Sequence, residues 1–235
     1  MALPLWWEEL GEEWRQALGV AAVLLWLALV VLLALQTRAR WPQRAEWSRK
    51  VLHIGTGPVV LIAWGLGIER WIALPAAAAV TVAAALNHRF RLLPAVEDVG
   101  RASYGTVAYG AAITTLLALF WPQRSDAVAA GVLVMACGDG LAGLLGASIA
   151  SPSWTIAGQR KSLLGTSAMG LVSLAVLAAL RLALQAGGGL GPSLPALVAI
   201  AAVAMLLEQF ALLGIDNLAV PVAVGLLWSL LGAQA

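Results

Sequence analysis

Charge is what this 235-residue chain has least of. Asp, Glu, Lys and Arg make up 11% of it, twelve acids against fourteen bases, where a soluble domain carries about 25%. So little charge cannot cover a soluble globule of this size. That excludes an ordinary soluble enzyme, a disordered chain and a nucleic-acid-binding module. Cysteine is nearly missing too. Cys137 is alone, so no internal disulfide can form. A cleavable leader is not expected either. The N-terminal flank is acidic (Glu8, Glu9, Glu12, Glu13), and the apolar run behind it is about twenty residues, the length of a membrane span. No repeat or domain boundary stands out, so 1–235 reads as one unit with a short non-membrane segment at 1–15.

What is abundant is apolar. Hydrophobic types reach 61% and the mean hydropathy is +0.89, which leaves an integral membrane protein. Runs of the required length, about 20 residues, fall at 16–36, 51–67, 70–87, 104–121, 126–149, 164–185, 194–211 and 216–233. Lipid tolerates no unpaired backbone, and these runs are too continuous and Ala/Leu-rich for barrel strands. The expectation is an all-α bundle of eight transmembrane helices, or seven. Only 65–70 separates the second run from the third, which implies a tight hairpin. Pro75, Pro195 and Pro221 sit in first turns or part-way in, where a kink is expected.

Charge placement tests the count. With alternating loops, Arg38, Arg40, Arg44, Arg49, Lys50, Arg89, Arg91, Arg101, Arg160 and Lys161 share one side, and Arg15, Arg70, Arg124 and Arg181 the other. The positive-inside rule then places both termini outside. Trp41, Trp47, Trp71, Trp121 and Trp154 fall at predicted span ends, as interfacial aromatics do.

The few polar residues inside or beside apolar runs form five clusters. Asp139 lies within Ala136-Cys137-Gly138-Asp139-Gly140-Leu141-Ala142. A carboxylate at membrane depth costs at least a few kcal/mol, so it faces a polar cavity or a metal. Gly138, Ala142 and Gly146 recur every four residues, a small-residue packing stripe. The glycines flanking Asp139 would also let a phosphate approach the backbone. A second cluster, 158–167, holds Arg160, Lys161 and Ser162 where the sixth span opens. With the free N–H groups of a helix N-terminus it suggests a phosphate cradle. It lacks the glycine spacing and Gly-Lys-Ser run of a P-loop, and read alone it is an ordinary positive-inside pair. A third is Arg49-Lys50-Val51-Leu52-His53, with Arg49 and His53 on one helix face; its plain alternative is a basic anchor with a satisfied histidine. A fourth, 97–106, contains Arg101 and Tyr104. The fifth is Glu208 with Gly214-Ile215-Asp216-Asn217, which alone reads as a helix cap. All five open on the same predicted inner face, Asp139 about nine residues deep. A transport path would carry polar residues through the full thickness, whereas the outer halves of the spans look featureless. A divalent-metal and phosphate site fits better.

The runs Arg49-Lys50-Val-Leu-His53-Ile-Gly-Thr-Gly57, Arg101-Ala-Ser-Tyr104-Gly-Thr, Gly138-Asp139-Gly140-Leu-Ala-Gly-Leu-Leu-Gly146, Gln159-Arg160-Lys161-Ser162-Leu-Leu-Gly165-Thr and Gly214-Ile-Asp216-Asn217-Leu-Ala-Val-Pro221 resemble, in order, those of the polyprenol/phytol kinase family. That family holds dolichol kinase and the CTP-dependent diacylglycerol kinase, and the resemblance is strongest to its cyanobacterial and plastid phytol kinases. It implies phosphoryl transfer from a nucleoside triphosphate, typically CTP, to the hydroxyl of a membrane lipid alcohol. Phytol is expected first, with dolichol, geranylgeraniol or diacylglycerol as alternatives. Asp139, Lys161 and Asp216 take the catalytic positions. Gly138, Gly140, Gly146, Arg160, Ser162, Gly165 and Asn217 take those facing nucleotide or phosphate. Arg49, Lys50, His53, Arg101 and Tyr104 take those near substrate or phosphate, and Asp139, Glu208 and Asp216 those expected to hold Mg²⁺. One departure is Ala147-Ser148, where many relatives carry a base; it leaves one phosphate contact open. Implied partners are the nucleotide, the bilayer and its lipid alcohol, with no nucleic acid. A thylakoid or bacterial inner membrane fits the phytol reading. The rivals are cytidylyl transfer to a lipid phosphate and a non-catalytic transporter or scaffold.

Overall fold

The structure is a computed structural model that describes residues 10–90, 104–156, 158–210 and 213–232. Of the sequence candidates, Arg101 and the stretch 97–103 lie outside the described residues. The helices are α1 (Glu12–Arg40), α2 (Ala45–Thr56), α3 (Val59–Gly65), α4 (Arg70–Phe90), α5 (Gly105–Phe120), α6 (Ser125–Ser148), α7 (Leu163–Ala186), α8 (Leu194–Gln209) and α9 (Asp216–Gly232). The fold is all-α, as the apolar runs predict, apart from one antiparallel hairpin of β1 (Ser153–Ile156) and β2 (Gln159–Ser162). α1, α4, α6 and α7 are long and apolar enough to cross a membrane, and α5, α8 and α9 are shorter apolar helices.

The run 51–67 differs from expectation. It is not one helix: α2 ends at Thr56 and α3 begins at Val59. Pro58 sits between them and removes a backbone donor from the ladder. Gly57 beside it admits α6, because a Cβ there would stand 2.6 Å from the Cβ of Ala136. The tight hairpin after α3 is present. Gly67 adopts φ +66°, and the Ile68 N–H reaches back to the Ala63 carbonyl at 2.9 Å. That pairing closes a helix end around a left-handed glycine.

α6 is the hub, packed against α5, α7 and α9. Ala127, Val128, Ala129, Ala130, Val134, Met135 and Ala136 have no exposed surface. A helix apolar on every side belongs in the interior, and its small residues let neighbours approach closely. A Cβ on Gly131 would run into the Pro221 carbonyl of α9, and one on Gly225 of α9 would stand 3.1 Å from the Ala127 carbonyl. By contrast, α1 and α4 turn Leu25 (72% exposed) and Val80 (62%) outward. Such outward apolar faces suit contact with lipid.

The end of the bundle formed by the α3–α4 turn and the start of α6 is not featureless, contrary to expectation. Arg124 forks onto Asp126 at 3.0 and 3.1 Å and reaches the Ser229 carbonyl at 3.3 Å, while the Trp228 indole donates to Asp126 at 2.8 Å. This network ties α9 to the start of α6. Trp121 is not interfacial but 1% exposed, its N–H donated to the Ile68 carbonyl at 2.8 Å. A buried indole needs such a partner. Gln16 brackets the same turn through Gly67 and Glu69, so the start of α1 reaches this end as well.

Candidate active site

At the opposite end, the starts of α2, α7 and α9 and the ends of α6 and α8 surround a cavity of about 680 Å³. Its wall brings together charged residues from four of the five clusters: Arg49 and Lys50, Asp139, Arg160 and Lys161, and Glu208 with Asp216. The sequence puts these clusters on one predicted face, and the fold sets charged residues of four of them in one wall.

Asp139 is placed by a distortion of α6. Val134–Asp139 forms a wide turn of π-helix, which breaks the regular ladder; such turns recur at functional sites. Two carbonyls of this turn are met by α2 instead. Lys50 Nζ donates to the Asp139 carbonyl at 3.0 Å and to its Oδ2 at 2.7 Å. His53 Nε2 lies 3.1 Å from the Met135 carbonyl and 3.3 Å from Asp139 Oδ2. A carbonyl only accepts, so Nε2 carries the proton and donates. The residue acting with His53 is therefore Lys50, three positions earlier, rather than Arg49. Gly143 makes room for Lys50, since a Cβ there would meet its Nζ at 2.8 Å. Asp139 Oδ1 has no bonded partner among the described residues. Arg49 turns toward the cavity and is held by Glu46 through two bonds of 2.6 and 2.8 Å.

The hairpin delivers the second pair of bases. Lys161 is bonded to the Glu208 side chain and to its carbonyl at 2.6 Å. Arg160 forms no ion pair among the described residues, and its Nε donates to Ser153 Oγ at 3.2 Å. The free helix N-terminus expected here is not free. The Leu163 N–H is taken by the Pro152 carbonyl, that of Leu164 by Ser151 Oγ, and that of Gly165 by the capping Ser162 Oγ. Side chains rather than α7 backbone must therefore face an anion. Asp216, in the first turn of α9, lines the cavity and forms no ion pair among the described residues. Asn217 Nδ2 lies 3.3 Å from both Asp216 Oδ1 and the Gly214 carbonyl. Gly214 has φ +86°, a conformation that favours glycine.

Gly146, Ser162, Gly165 and Asn217 line the cavity. Gly138 and Gly140 do not. Both are buried in helix contacts, Gly138 against Met169 and Ser173 of α7 and Gly140 against Ile54 of α2. His53 stands beneath Asp139 rather than in the wall. Tyr104 is outside the cavity, its ring tilted against that of His88 with centres 4.5 Å apart. Among the described residues, no three His, Cys, Asp or Glu side chains converge closely enough to hold a metal ion by themselves. Glu208, expected as a ligand, has both oxygens engaged, one by Lys161 and one by Gln209. The set still suits Mg²⁺, which takes one or two carboxylates and completes its shell with phosphate oxygens and water. Asp139 Oδ1 and Asp216 Oδ2 are the carboxylate oxygens with no bonded partner among the described residues.

Known proteins add one finding. The chain is 39% identical over 231 residues to a protein of Synechocystis sp. named phytol kinase, a likeness covering 97% of this chain and 92% of that relative. The chain belongs to the phytol/polyprenol kinase family. No family model and no solved structure matches it. Because the likeness to this family member runs nearly end to end, it takes in the apolar helices as well as the charged motifs. Sequence reasoning missed three parts of the site: the π turn, Glu46, and Gln209. Only Glu46, three residues before Arg49, carried a readable local signal.

Proposed function

We propose that the protein is a kinase that transfers the γ-phosphoryl group of CTP to the hydroxyl of phytol, yielding phytyl phosphate. The observation that carries this reading is the cavity itself. Bases and carboxylates from sequence-distant clusters meet at one end of an apolar bundle, where a triphosphate from water and an alcohol held in lipid can both reach. The family and the relative's name support the reaction class and the acceptor; the choice of CTP rests on the family resemblance.

Phosphoryl transfer asks a protein for positioning and charge neutralisation more than for a nucleophile of its own. Arg160, unpaired among the described residues, and Arg49 face the phosphates. Lys161 is held at one point of the wall by Glu208, so it is set before the substrate arrives. Asp139, fixed by Lys50 and His53, presents Oδ1 to the cavity. A Mg²⁺ ion brought in on the nucleotide would neutralise charge across its phosphate oxygens, with Asp139 as its main protein ligand. Asp216 accepts the proton of the attacking hydroxyl as the new O–P bond forms and the bond to the departing diphosphate breaks. The lipid tail stays in the bilayer throughout. We also read the bundle as eight crossings, α2 with α3 making one. The cavity then lies on the side with ten of the fourteen bases, and both termini lie opposite, in the inner or thylakoid membrane of a bacterium.

The test is a matrix of CTP, ATP and UTP against phytol, geranylgeraniol, dolichol and diacylglycerol, using membranes that contain the protein and mass spectrometry of the products. Phytyl phosphate with CDP is the expected result. A CDP-lipid with pyrophosphate would make it a cytidylyltransferase, and no phosphorylated lipid in any well would overturn the kinase reading.

A further inference from the structure

Cross-strand partners in the hairpin share a face. Trp154 of β1 and Lys161 of β2 are such partners, and both are gripped by consecutive residues at the end of α8. Lys161 is bonded to Glu208. The Trp154 indole donates to Gln209 Oε1 at 3.2 Å. Gln209 then closes the loop, because its Nε2 donates to Glu208 Oε2 at 2.9 Å and to Thr166 Oγ1 of α7 at 2.8 Å. The side chain is 8% exposed, and its carbonyl and both amide hydrogens are used. Only one orientation of the amide satisfies all three neighbours: oxygen to the indole, nitrogen to the carboxylate and the hydroxyl.

A two-stranded hairpin is marginal on its own, and this one carries Arg160 and Lys161. We infer that Gln209 is the positioning residue of this site. It locks the hairpin to α7 and α8 and orients Glu208, which in turn aims Lys161 into the cavity. The role rests on the proposed phosphoryl transfer for its meaning but on the hydrogen-bond ring for its existence. Chemistry also explains why the residue is an amide. A glutamate at 209 would set a second carboxylate against Glu208 and lose the donor, unless protonated, when its O–H replaces one N–H bond. The charged groups around that position are Glu208 on α8, Lys161 on β2 and, across the cavity, Asp216 on α9. Thr166 and Trp154 are neutral.

The experiment uses the full chain in detergent with three variants: Gln209→Leu, Gln209→Glu and Trp154→Phe. Trypsin cleavage after the exposed Arg160, read by mass spectrometry, reports how often the hairpin opens. Turnover with CTP and phytol reports the site. Gln209→Leu and Trp154→Phe should be cut about tenfold faster there, with other sites unchanged, because opening costs fewer bonds. Both should lose turnover. Gln209→Glu, which keeps the length but loses the amide donor, should be cut as fast as Gln209→Leu at one fixed pH. In each variant KM for CTP should rise several-fold while the melting temperature stays near that of the wild type; a purely structural loss would lower the melting temperature instead. Cleavage of Gln209→Leu and Trp154→Phe at the wild-type rate would overturn the ring, as would a Gln209→Glu variant cut as slowly as the wild type. If the unaltered protein phosphorylates nothing, the kinase reading fails while the cleavage comparison still decides the positioning role.

Discussion

At the scale of single residues, the site is built from charges that hold one another. Lys50 and Asp139 are both buried, with side chains 5% and 14% exposed. Removing one partner of such a pair leaves an uncompensated charge and costs about 3–5 kcal/mol. Lys50→Met should therefore lower the thermal stability of the purified protein strongly. Lys50→Met combined with Asp139→Leu should regain much of that stability but none of the activity, which separates holding the fold from doing the chemistry. Asp216 is different in kind, since it forms no ion pair among the described residues. Asp216→Asn should leave stability near wild type and nucleotide binding measurable, while lowering kcat by about 10²–10⁴. A single-turnover assay that found the chemical step unchanged would remove Asp216 from the role of base. Lys161→Ala should lose turnover as well. Its cost includes leaving Glu208 without its cation, so the fold must be checked alongside.

At the scale of elements, helix contacts made through glycine decide which changes the bundle tolerates. Gly131 faces the Pro221 carbonyl with no space for a Cβ, whereas a Cβ on Gly65 meets nothing within 4 Å. Gly131→Leu should abolish a monodisperse product on size-exclusion chromatography, since overpacking a filled contact costs about 1–3 kcal/mol or more. Gly65→Ala should behave as wild type. The long apolar elements were readable in the chain because lipid imposes a length and a composition on them. The clusters around Asp139, Lys161 and Asp216 were readable because a charge inside an apolar run has few structural excuses. Other features had no local signal. The π turn depends on donors from Lys50 and His53, more than eighty positions away. The hairpin is short and polar, with no alternating pattern to mark it. The N–H groups of α7 looked open because Ser151 and Pro152, which fill two of them, belong to a loop whose path the sequence does not disclose. Trp121 looked interfacial because burial of an indole depends on a carbonyl, here that of Ile68, supplied by another element.

At the scale of the whole molecule, the two ends carry different polar devices: a cavity at one, and a closed clamp of Arg124, Asp126 and Trp228 at the other. The proposed eight crossings, with the cavity on the base-rich side, make a directional prediction. In a Cys137→Ala background, Thr155→Cys should react with an impermeant maleimide only from the cytoplasmic side, and Leu190→Cys only from the other. Labelling of both from one side would refute the topology. The wide turn in α6 constrains the molecule in a further way. α6 meets α5 and the end of α9 before that turn, and α2 and the start of α7 after it. Each residue of a helix advances the chain by about 100°. Deleting one of Val134–Gly138 would keep every charged group and restore a regular helix. It would also rotate one half of the hub's partners out of register with the other. The length of this segment is thus fixed more strictly than its composition. Among homologous chains, gaps should fall in the loops and leave 125–148 uninterrupted, even where its individual residues have drifted.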